Sequence, residues 1–317
     1  MVKLIIQIPC YNEEETLLTT LNDLPKKIDG VDELEVLVIN DGSIDNSSKI
    51  AKSWGAKVVD LKTNKGLANA FRVGIQECLN NGADIIVNTD ADNQYSANDI
   101  GKLIEPILKA EADIVIGARD ILNVKDFSVF KKILQKVGSA VLRLMSSTPV
   151  KDAPSGFRAF SREAALKINI FDNYTYTMET LVQAGAKGMR VKSVPIAVNS
   201  KLRESKLVKN MFDYILKSMK TTLRMFIIYR PFRFFISLAL LLGLVGLLLV
   251  CRFLYFYFTG DGNGHVQSLI FSAVFLISSL QLAIIAILGD LLSINRKLLE
   301  DVQFRIKKIE LDKEKTA

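Results

Sequence analysis

Two long apolar segments near the C-terminus place the strongest limit on what this chain of 317 residues can fold into. Residues 234–250 carry no charged side chain, apolar residues continue past Arg252 to Phe258, and residues 268–288 form a second uncharged segment. Each segment is long enough to cross about 30 Å of hydrocarbon as a helix. A buried hairpin of a soluble protein is a poor alternative at these lengths, so we predict a two-helix membrane hairpin.

Basic residues flank this hairpin on its terminal sides only. Arginines precede it at positions 224, 230 and 233, and Arg296 and Lys297 follow it, whereas the connecting turn at residues 259–264 contains no Lys or Arg. Because basic residues are retained on the cytoplasmic side, we expect both termini in the cytoplasm and the turn outside.

The composition narrows the classes of partner. A net charge of +7 and a pI near 9.1 suit an anionic membrane surface or a phosphorylated substrate. No basic arm or nucleic-acid motif accompanies this charge, so we expect no nucleic-acid partner. The three cysteines lack metal or redox spacing, which indicates reduced thiols of a cytosolic domain.

The N-terminal half alternates between short apolar runs and segments of helical periodicity. The runs predict strands at residues 3–8, 35–40, 57–60, 85–87 and 114–119, and Asn12 is a predicted N-cap for the first helix. Strands and helices that alternate at short spacing indicate a mostly parallel sheet with helices on both faces.

Two acids follow the fourth strand. Ile85, Ile86 and Val87 lead into Asp90 and Asp92, which stand one residue apart. The carboxyl end of a parallel strand is where an open α/β sheet places its ligand crevice, and Mg²⁺ or Mn²⁺ would resolve the repulsion between the two carboxylates. Asp and Asn also favour solvated turns, so the pattern alone fits either a metal site or a turn.

Two further segments have amphipathic spacing. Residues 127–144 fit a helix against the core or against a membrane, and residues 207–229 have the pattern of a helix at a lipid surface. We therefore divide the chain into a catalytic domain (1–205), an interfacial amphipathic helix (206–230), the membrane hairpin (231–294) and a charged cytoplasmic tail (295–317). The tail is expected to be either helical or disordered.

Short motifs in a fixed order carry a family resemblance. They are Ile8-Pro9-Cys10-Tyr11-Asn12-Glu13, Asn40-Asp41-Gly42-Ser43, Asn64-Lys65-Gly66, Asp90-Ala91-Asp92-Asn93-Gln94, Gly117-Ala118-Arg119, Ser155-Gly156-Phe157-Arg158-Ala159-Phe160, Val194-Pro195-Ile196 and Arg203-Glu204-Ser205-Lys206. Over residues 1 to about 230 the chain resembles the polyprenyl-phosphate glycosyltransferases of glycosyltransferase family 2. The resemblance implies a GT-A, Rossmann-like domain followed by amphipathic juxtamembrane and transmembrane helices.

The resemblance also implies roles for residues near the donor. The nucleotide-sugar site is assigned to Pro9, Tyr11, Glu13, Asp41, Lys65 and Asp90. Asp41 would accept hydrogen bonds from the nucleobase and Asp90 would face the ribose or the metal. The metal, Mg²⁺ or Mn²⁺, is assigned to Asp90, Asp92 and Gln94. First-turn charge for Glu13, an Asx turn for Asp41 and a solvated helix start for Lys65 remain alternatives.

The acceptor phosphate is assigned to basic and hydroxyl side chains. These are Arg119, Lys131, Lys132, Arg203, Ser205 and Lys206, and ordinary positive-inside charge is the alternative for the last three. The catalytic set is Asp92, Arg119 and Arg203. Glu179 lies where other family members carry a catalytic acid, although a plain helix position explains it equally well.

The reaction implied is an inverting, metal-dependent transfer of one sugar from a UDP- or GDP-sugar to undecaprenyl or dolichyl phosphate at the cytoplasmic face of the bilayer. Two alternatives are a processive polysaccharide synthase and an inactive glycosyltransferase-like membrane scaffold. The single tryptophan, Trp54, lies far from the membrane segments, which argues against the synthase. Self-association is left open.

Overall fold

The computed structural model describes residues 1–119, 148, 150–171, 175–200, 220–221, 223–260 and 262–316. The chain forms two compact units, residues 1–222 with 304–317, and residues 223–303. The four-part division at residues 205, 230 and 294 stays a prediction. The proposed helix at 127–144 and residues 207–219 of the proposed helix at 207–229, together with Lys131, Lys132, Arg203, Ser205 and Lys206, lie outside the described residues.

The first unit alternates strands and helices as its apolar pattern predicts. Its elements are β1 (Lys3–Cys10), α1 (Leu17–Asp23), β2 (Glu33–Asn40), α2 (Ser47–Trp54), β3 (Lys57–Asp60), α3 (Leu67–Asn80), β4 (Ile85–Asn88), α4 (Ile100–Leu108), β5 (Ile114–Arg119), β6 (Arg158–Ser161), α5 (Arg162–Lys167), α6 (Tyr176–Ala186) and β7 (Val191–Ile196). All five predicted strands are confirmed, each within two residues at either end.

Within the described residues, the strands form one sheet of seven in the order β3-β2-β1-β4-β6-β5-β7. Six strands run parallel, and β6 is antiparallel to both β4 and β5. From β1 the chain first builds outward through β2 and β3, then returns to place β4 on the other side of β1. This reversal is a topological switch point, where open α/β sheets bind ligands at the carboxyl ends of their strands.

Helices cover both faces of the sheet, which is why β1 and β4 are largely apolar. On one face, α1 and α4 bury Leu17, Leu21 and Leu103 against Ile6 and Val87. On the other face, α3 lies so close to β1 that a Cβ on Gly74 would meet the side chain of Gln7 at 2.4 Å. The central strands are therefore held in a fixed position beneath the loops at the sheet edge.

One local expectation changes in the structure. Asn12 is not the N-cap of the first helix; Thr16 stands there, and Asn12 adopts a left-handed φ of 54° in the preceding turn. The edge strand β7 contains Pro195, which is tolerated there because an edge strand needs no hydrogen bond donor on its open side.

The second unit contains a helical hairpin. Its helices are α7 (Pro231–Phe258) and the first part of α8 (Val266–Thr316), and both are long and apolar enough to span a membrane. The Oγ atoms of Ser272 and Ser279 donate to backbone carbonyls of α7 at 2.9 and 2.7 Å. Small residues such as Gly246 permit this close approach, a packing mode typical of membrane helices.

Candidate active site

The loops that follow β1 and β2 are joined by hydrogen bonds at the carboxyl edge of the sheet. The N–H of Asn12 donates to Ser43 Oγ at 2.9 Å, the N–H of Ile44 donates to Asn12 Oδ1 at 2.9 Å, and the N–H of Glu13 donates to Ser47 Oγ at 2.8 Å. Tyr11 stands at this junction with 42% of its surface exposed. The two loops thus form one wall beside the switch point.

Asp41 holds a third loop against this wall. Its two carboxylate oxygens accept from the backbone N–H groups of Lys65 and Gly66 at 2.9 and 2.8 Å, and Asp41 is only 3% exposed. Gly42 has φ 71°, and a Cβ there would lie 2.7 Å from the backbone of residues 63–64. Asp41 is therefore an anchor for the Lys65 loop, and its nucleobase contact stays a prediction.

The carbonyl between the two aspartates is fixed by α1. Oγ1 of Thr16 and Oγ1 of Thr20 lie 2.9 and 3.0 Å from Ala91 O, and both threonines are buried. Within the turn, the N–H of Gln94 donates to Asp92 Oδ1 at 3.2 Å. The backbone that carries Asp90 and Asp92 is therefore held by two hydroxyls from residues 75 and 71 positions earlier in the chain.

The far side of the same turn is held by the segment after β7. Asn93 has a left-handed φ of 55° and donates from Nδ2 to Asp23 Oδ2 at 2.7 Å. Asn199 donates from Nδ2 to Asn93 O at 3.1 Å and from its N–H to Gln94 O at 2.9 Å. The Asp90–Gln94 turn is thus preorganised from two sides rather than left as a solvated strand end.

A buried polar layer lies beneath Asp90. Nδ2 of Asn88 donates to Gly156 O at 2.9 Å and to Tyr176 Oη at 2.8 Å, while Gln7 Nε2 donates to Asn88 Oδ1 at 2.9 Å. A Cβ on Gly156 would lie 3.0 Å from both Asp90 Oδ1 and Tyr176 Oη. The absence of a side chain at Gly156 is what lets the Asp90 carboxylate rest against this backbone.

Arg158 places a positive charge inside this layer. The side chain is fully buried and donates to Ser155 O at 2.8 Å, Thr177 O at 2.8 Å and Ala153 O at 2.6 Å. Burial lowers the pKa of Arg158 to about 10, so it remains protonated at neutral pH. The positive charge of Arg158 interacts with the Asp90 carboxylate and offsets part of the negative charge of the acid pair.

Arg119 ends β5 at the same edge and is held by Asp152. Nε and Nη2 of Arg119 donate to the two oxygens of Asp152 at 2.7 and 3.1 Å, with the guanidinium side chain 12% exposed and Asp152 fully buried. Burial alone would lower the pKa of Arg119, but Tyr95, Asp152 and Asp90 raise it overall. Arg119 is therefore a permanently charged, oriented group close enough to Asp90 for their charges to interact.

Tyr95 follows the Asp90–Gln94 turn and packs against the buried polar layer. Its Oη accepts from the N–H of Gly156 at 3.1 Å, its ring stacks on Phe157 with centroids 5.2 Å apart, and the Arg119 guanidinium lies 6.0 Å from its ring centroid. Burial raises the pKa of Tyr95 to about 12. The phenol is therefore a neutral hydrogen-bonding group throughout the physiological pH range.

The carboxylates of Asp90 and Asp92 suit a hard divalent ion whose remaining ligands come from water and a substrate. Within the described part of the chain, no three His, Cys, Asp or Glu side chains converge on a metal-sized site. Mg²⁺ is commonly held by one or two carboxylates, with water and substrate phosphates completing the shell, and Asp90 and Asp92 match that arrangement. The residues present thus fit a metal bound together with a nucleoside diphosphate better than a metal bound by protein alone.

The predicted site residues divide into those that the structure describes and those that lie outside the described residues. The fold brings together at one edge of the sheet those that lie in the described chain, namely Pro9, Tyr11, Glu13, Asp41, Lys65, Asp90, Asp92, Gln94 and Arg119. Glu179, fully buried on α6, accepts from the N–H of Phe171 through both carboxylate oxygens at 3.1 Å. This geometry favours the structural explanation of Glu179 over an acid catalyst.

Several residues of the site were not predicted from the sequence. They are Thr16, Thr20, Asn88, Tyr95, Asp152 and Tyr176. A polar Asn88 at the end of a strand buried on both faces was a detectable signal, since buried polar groups need partners. Thr16 and Asp152 gave none, because their partners are distant in sequence.

Comparison with known proteins agrees with this geometry. Residues 5–168 match the model of the family described as "Glycosyl transferase family 2". A UDP-N-acetylglucosamine–dolichyl-phosphate N-acetylglucosaminyltransferase of Methanococcus voltae is 33% identical over 214 residues, which cover 60% of this chain and 82% of that protein. An undecaprenyl-phosphate mannosyltransferase of Micrococcus luteus is 29% identical over 218 residues, covering 65% and 88%.

Solved structures show the same fold. A glucosyl-3-phosphoglycerate synthase of Mycobacterium tuberculosis, crystallised with Mn²⁺, UDP-glucose and phosphoglyceric acid, superimposes with a TM-score of 0.56 at 20% identity and covers 71% of this chain and 79% of its own. At that identity the likeness establishes the fold, and the family match covers more than half of this chain. The chain therefore belongs to glycosyl transferase family 2 and is a glycosyltransferase.

Proposed function

We propose that this glycosyltransferase transfers one sugar, with inversion, from a nucleotide sugar to a polyprenyl phosphate at the cytoplasmic face of a membrane. The observation that carries the proposal is the acid pair Asp90 and Asp92, fixed at the switch point of the sheet with the Arg119 guanidinium nearby. The two relatives named for transfer to dolichyl and undecaprenyl phosphate support this acceptor class. The two membrane-length helices fit a lipid acceptor.

In this proposal the protein groups position the reactants and balance their charge. Asp90 and Asp92 bind a divalent ion, Mg²⁺ or Mn²⁺, with Gln94 as a further ligand; when bound, the ion would neutralise charge that develops on the departing nucleoside diphosphate. Pro9, Tyr11, Glu13, Asp41 and Lys65 line the nucleotide pocket.

The acceptor needs little proton transfer. The second pKa of a phosphate monoester is about 6, so a polyprenyl phosphate is largely a dianion at neutral pH and needs no strong general base. Arg119 is suited to hold that dianion through the Nη1 side of its guanidinium, since its Nε–Nη2 edge is paired with Asp152. Lys131, Lys132, Arg203, Ser205 and Lys206 complete the proposed acceptor site.

The test is incubation of the purified full chain with polyprenyl phosphate and a panel of nucleotide sugars, followed by mass spectrometry of the lipid. We expect one hexose or N-acetylhexosamine per lipid, dependent on Mg²⁺ or Mn²⁺. Asp92→Asn should lower turnover by two orders of magnitude or more, because about 3 kcal/mol or more of transition-state stabilisation is lost.

The matched control is Asp84→Asn. Asp84 lies next to the opposite end of β4, where its Oδ2 accepts from the N–H of Lys3 at 2.9 Å, so its loss should leave turnover nearly unchanged. Activity that survives both excess chelator and Asp92→Asn contradicts the metal role. Products with several sugars per lipid would identify a processive synthase, and nucleotide binding without any product would identify a scaffold.

A further inference from the structure

The last part of α8, from Phe304 onward, belongs to the first unit and packs one of its sides there. Leu311 is 5% exposed, the ammonium of Lys167 lies 5.5 Å from the ring centroid of Phe304, and Nζ of Lys307 donates to Asn169 Oδ1 at 3.1 Å. The three helix residues are spaced by three and four positions, so they share one face.

The opposite side of the same helix is apolar and exposed. Leu299, Val302, Ile306 and Ile309 are each between 49% and 70% exposed. With about 100° of rotation per residue, they lie on the face opposite Phe304 and Leu311. Their spacing of three, four and three residues is that of successive a and d positions in a heptad repeat. We call this set the heptad stripe.

We propose that the heptad stripe binds the same stripe of a second copy of this chain, as a parallel coiled coil. A parallel arrangement follows if the hairpin spans the membrane, because both copies then enter the coiled coil from the same side. With Leu299 and Ile306 at a and Val302 and Ile309 at d, Phe304 and Leu311 fall on f positions, which face away from a coiled-coil partner.

Charge complementarity supports a copy of the chain as the partner. In this register Arg305 occupies a g position and Glu310 the following e position, the two positions that pair across a parallel coiled coil. Both residues are exposed.

A lipid surface explains the stripe less well. Residues 297–315 carry six basic and five acidic side chains, a nearly neutral mixture. Helices that lie on anionic membranes carry a polar face rich in Lys and Arg instead. A mixture of both signs of charge suits the solvent-exposed positions of a helix, including those that flank a coiled-coil seam.

Charge reversal of the full chain in detergent tests the proposal. Arg305→Glu and Glu310→Arg should each raise the dissociation constant of the assembly about tenfold, and the double variant should restore it. Residues five apart do not contact one another on one helix, so rescue requires a contact between copies. The measurement is mass by light scattering over a concentration series.

Cysteine cross-linking in membranes gives a second readout. Of the three cysteines, Cys251 is exposed and must be replaced. Cys10 and Cys78 are buried; burial raises the pKa of Cys10 to about 12 and also raises that of Cys78, so both thiols stay unreactive. Val302→Cys should form a disulfide-linked dimer under mild oxidation, and Lys308→Cys, exposed on the same helix outside the stripe, should not.

Two results would overturn the proposal. One is a monomeric mass for the unaltered chain together with no Val302→Cys cross-link. The other is quenching of a fluorophore at position 302 by spin-labelled lipids, which would assign the stripe to the membrane surface. Sugar transfer is measured in parallel, so failure of the coiled coil is distinguishable from failure of the catalytic assignment.

Discussion

The Arg119–Asp152 ion pair offers a direct test of what burial adds to a salt bridge. A second pair, Arg190–Asp113, has the same two-pronged geometry, with separations of 3.2 and 2.8 Å against 2.7 and 3.1 Å. The environments differ, because Asp152 is fully buried and Asp113 is 25% exposed beside a guanidinium that is 56% exposed. The exposed Arg190–Asp113 pair is therefore a control for the buried Arg119–Asp152 pair.

We expect Asp152→Asn to destabilise the first unit by about 3–5 kcal/mol, because it leaves a buried guanidinium facing an amide. Asp113→Asn should cost about 0.2–1 kcal/mol, since water and salt screen an exposed pair. For a unit of about 200 residues, 1 kcal/mol corresponds to about 2–4 °C in Tm. We therefore expect Tm to fall by about 6–20 °C for Asp152→Asn and by at most about 4 °C for Asp113→Asn.

The assay is thermal unfolding of the full chain in one detergent at low and high salt. Added salt should weaken the Asp113 contribution and leave that of Asp152 nearly unchanged. Replacing both Arg119 and Asp152 with Leu should cost less than Asp152→Asn alone, because no unpaired charge remains. Equal losses of Tm for Asp152→Asn and Asp113→Asn would refute the reasoning that burial determines how much the Arg119–Asp152 pair contributes to stability.

Three further predictions concern the acid turn and the membrane hairpin. Thr16→Val and Thr20→Val should each cost less than about 1 kcal/mol, and the double variant about 2–4 kcal/mol, because only then does the carbonyl between the aspartates lose both partners; additive losses in thermal unfolding would contradict a shared acceptor. Gly156→Ala should weaken Mn²⁺–UDP binding in calorimetry, since its Cβ would lie 3.0 Å from both Asp90 Oδ1 and Tyr176 Oη. A cysteine at position 263, in a chain lacking Cys251, should react with an impermeant thiol reagent on intact cells; protection there, with labelling in the C-terminal tail, would invert the topology.

The sequence determined the parts of this protein that depend on local pattern. Apolar runs in β1 to β5 and the helical periodicity between them specify an α/β sheet, since both signals arise within a few residues. The two uncharged segments specify membrane-length helices for the same reason. The acids that follow β4 predicted a ligand crevice at the carboxyl edge of the sheet, and β4 does lie beside β1 at the switch point.

Only the tertiary structure decided how that edge is built. Asp152 lies 33 residues from Arg119, and Thr16 lies 75 residues from the carbonyl that it holds, so no local pattern could pair them. Asp41, expected at a nucleobase, holds the Lys65 loop, and Glu179 holds the N–H of Phe171. These contacts follow from which strands become neighbours, in particular the antiparallel insertion of β6 between β4 and β5. Residue type fixes what a side chain can bind, and the long-range packing of the sheet selects which partner it meets.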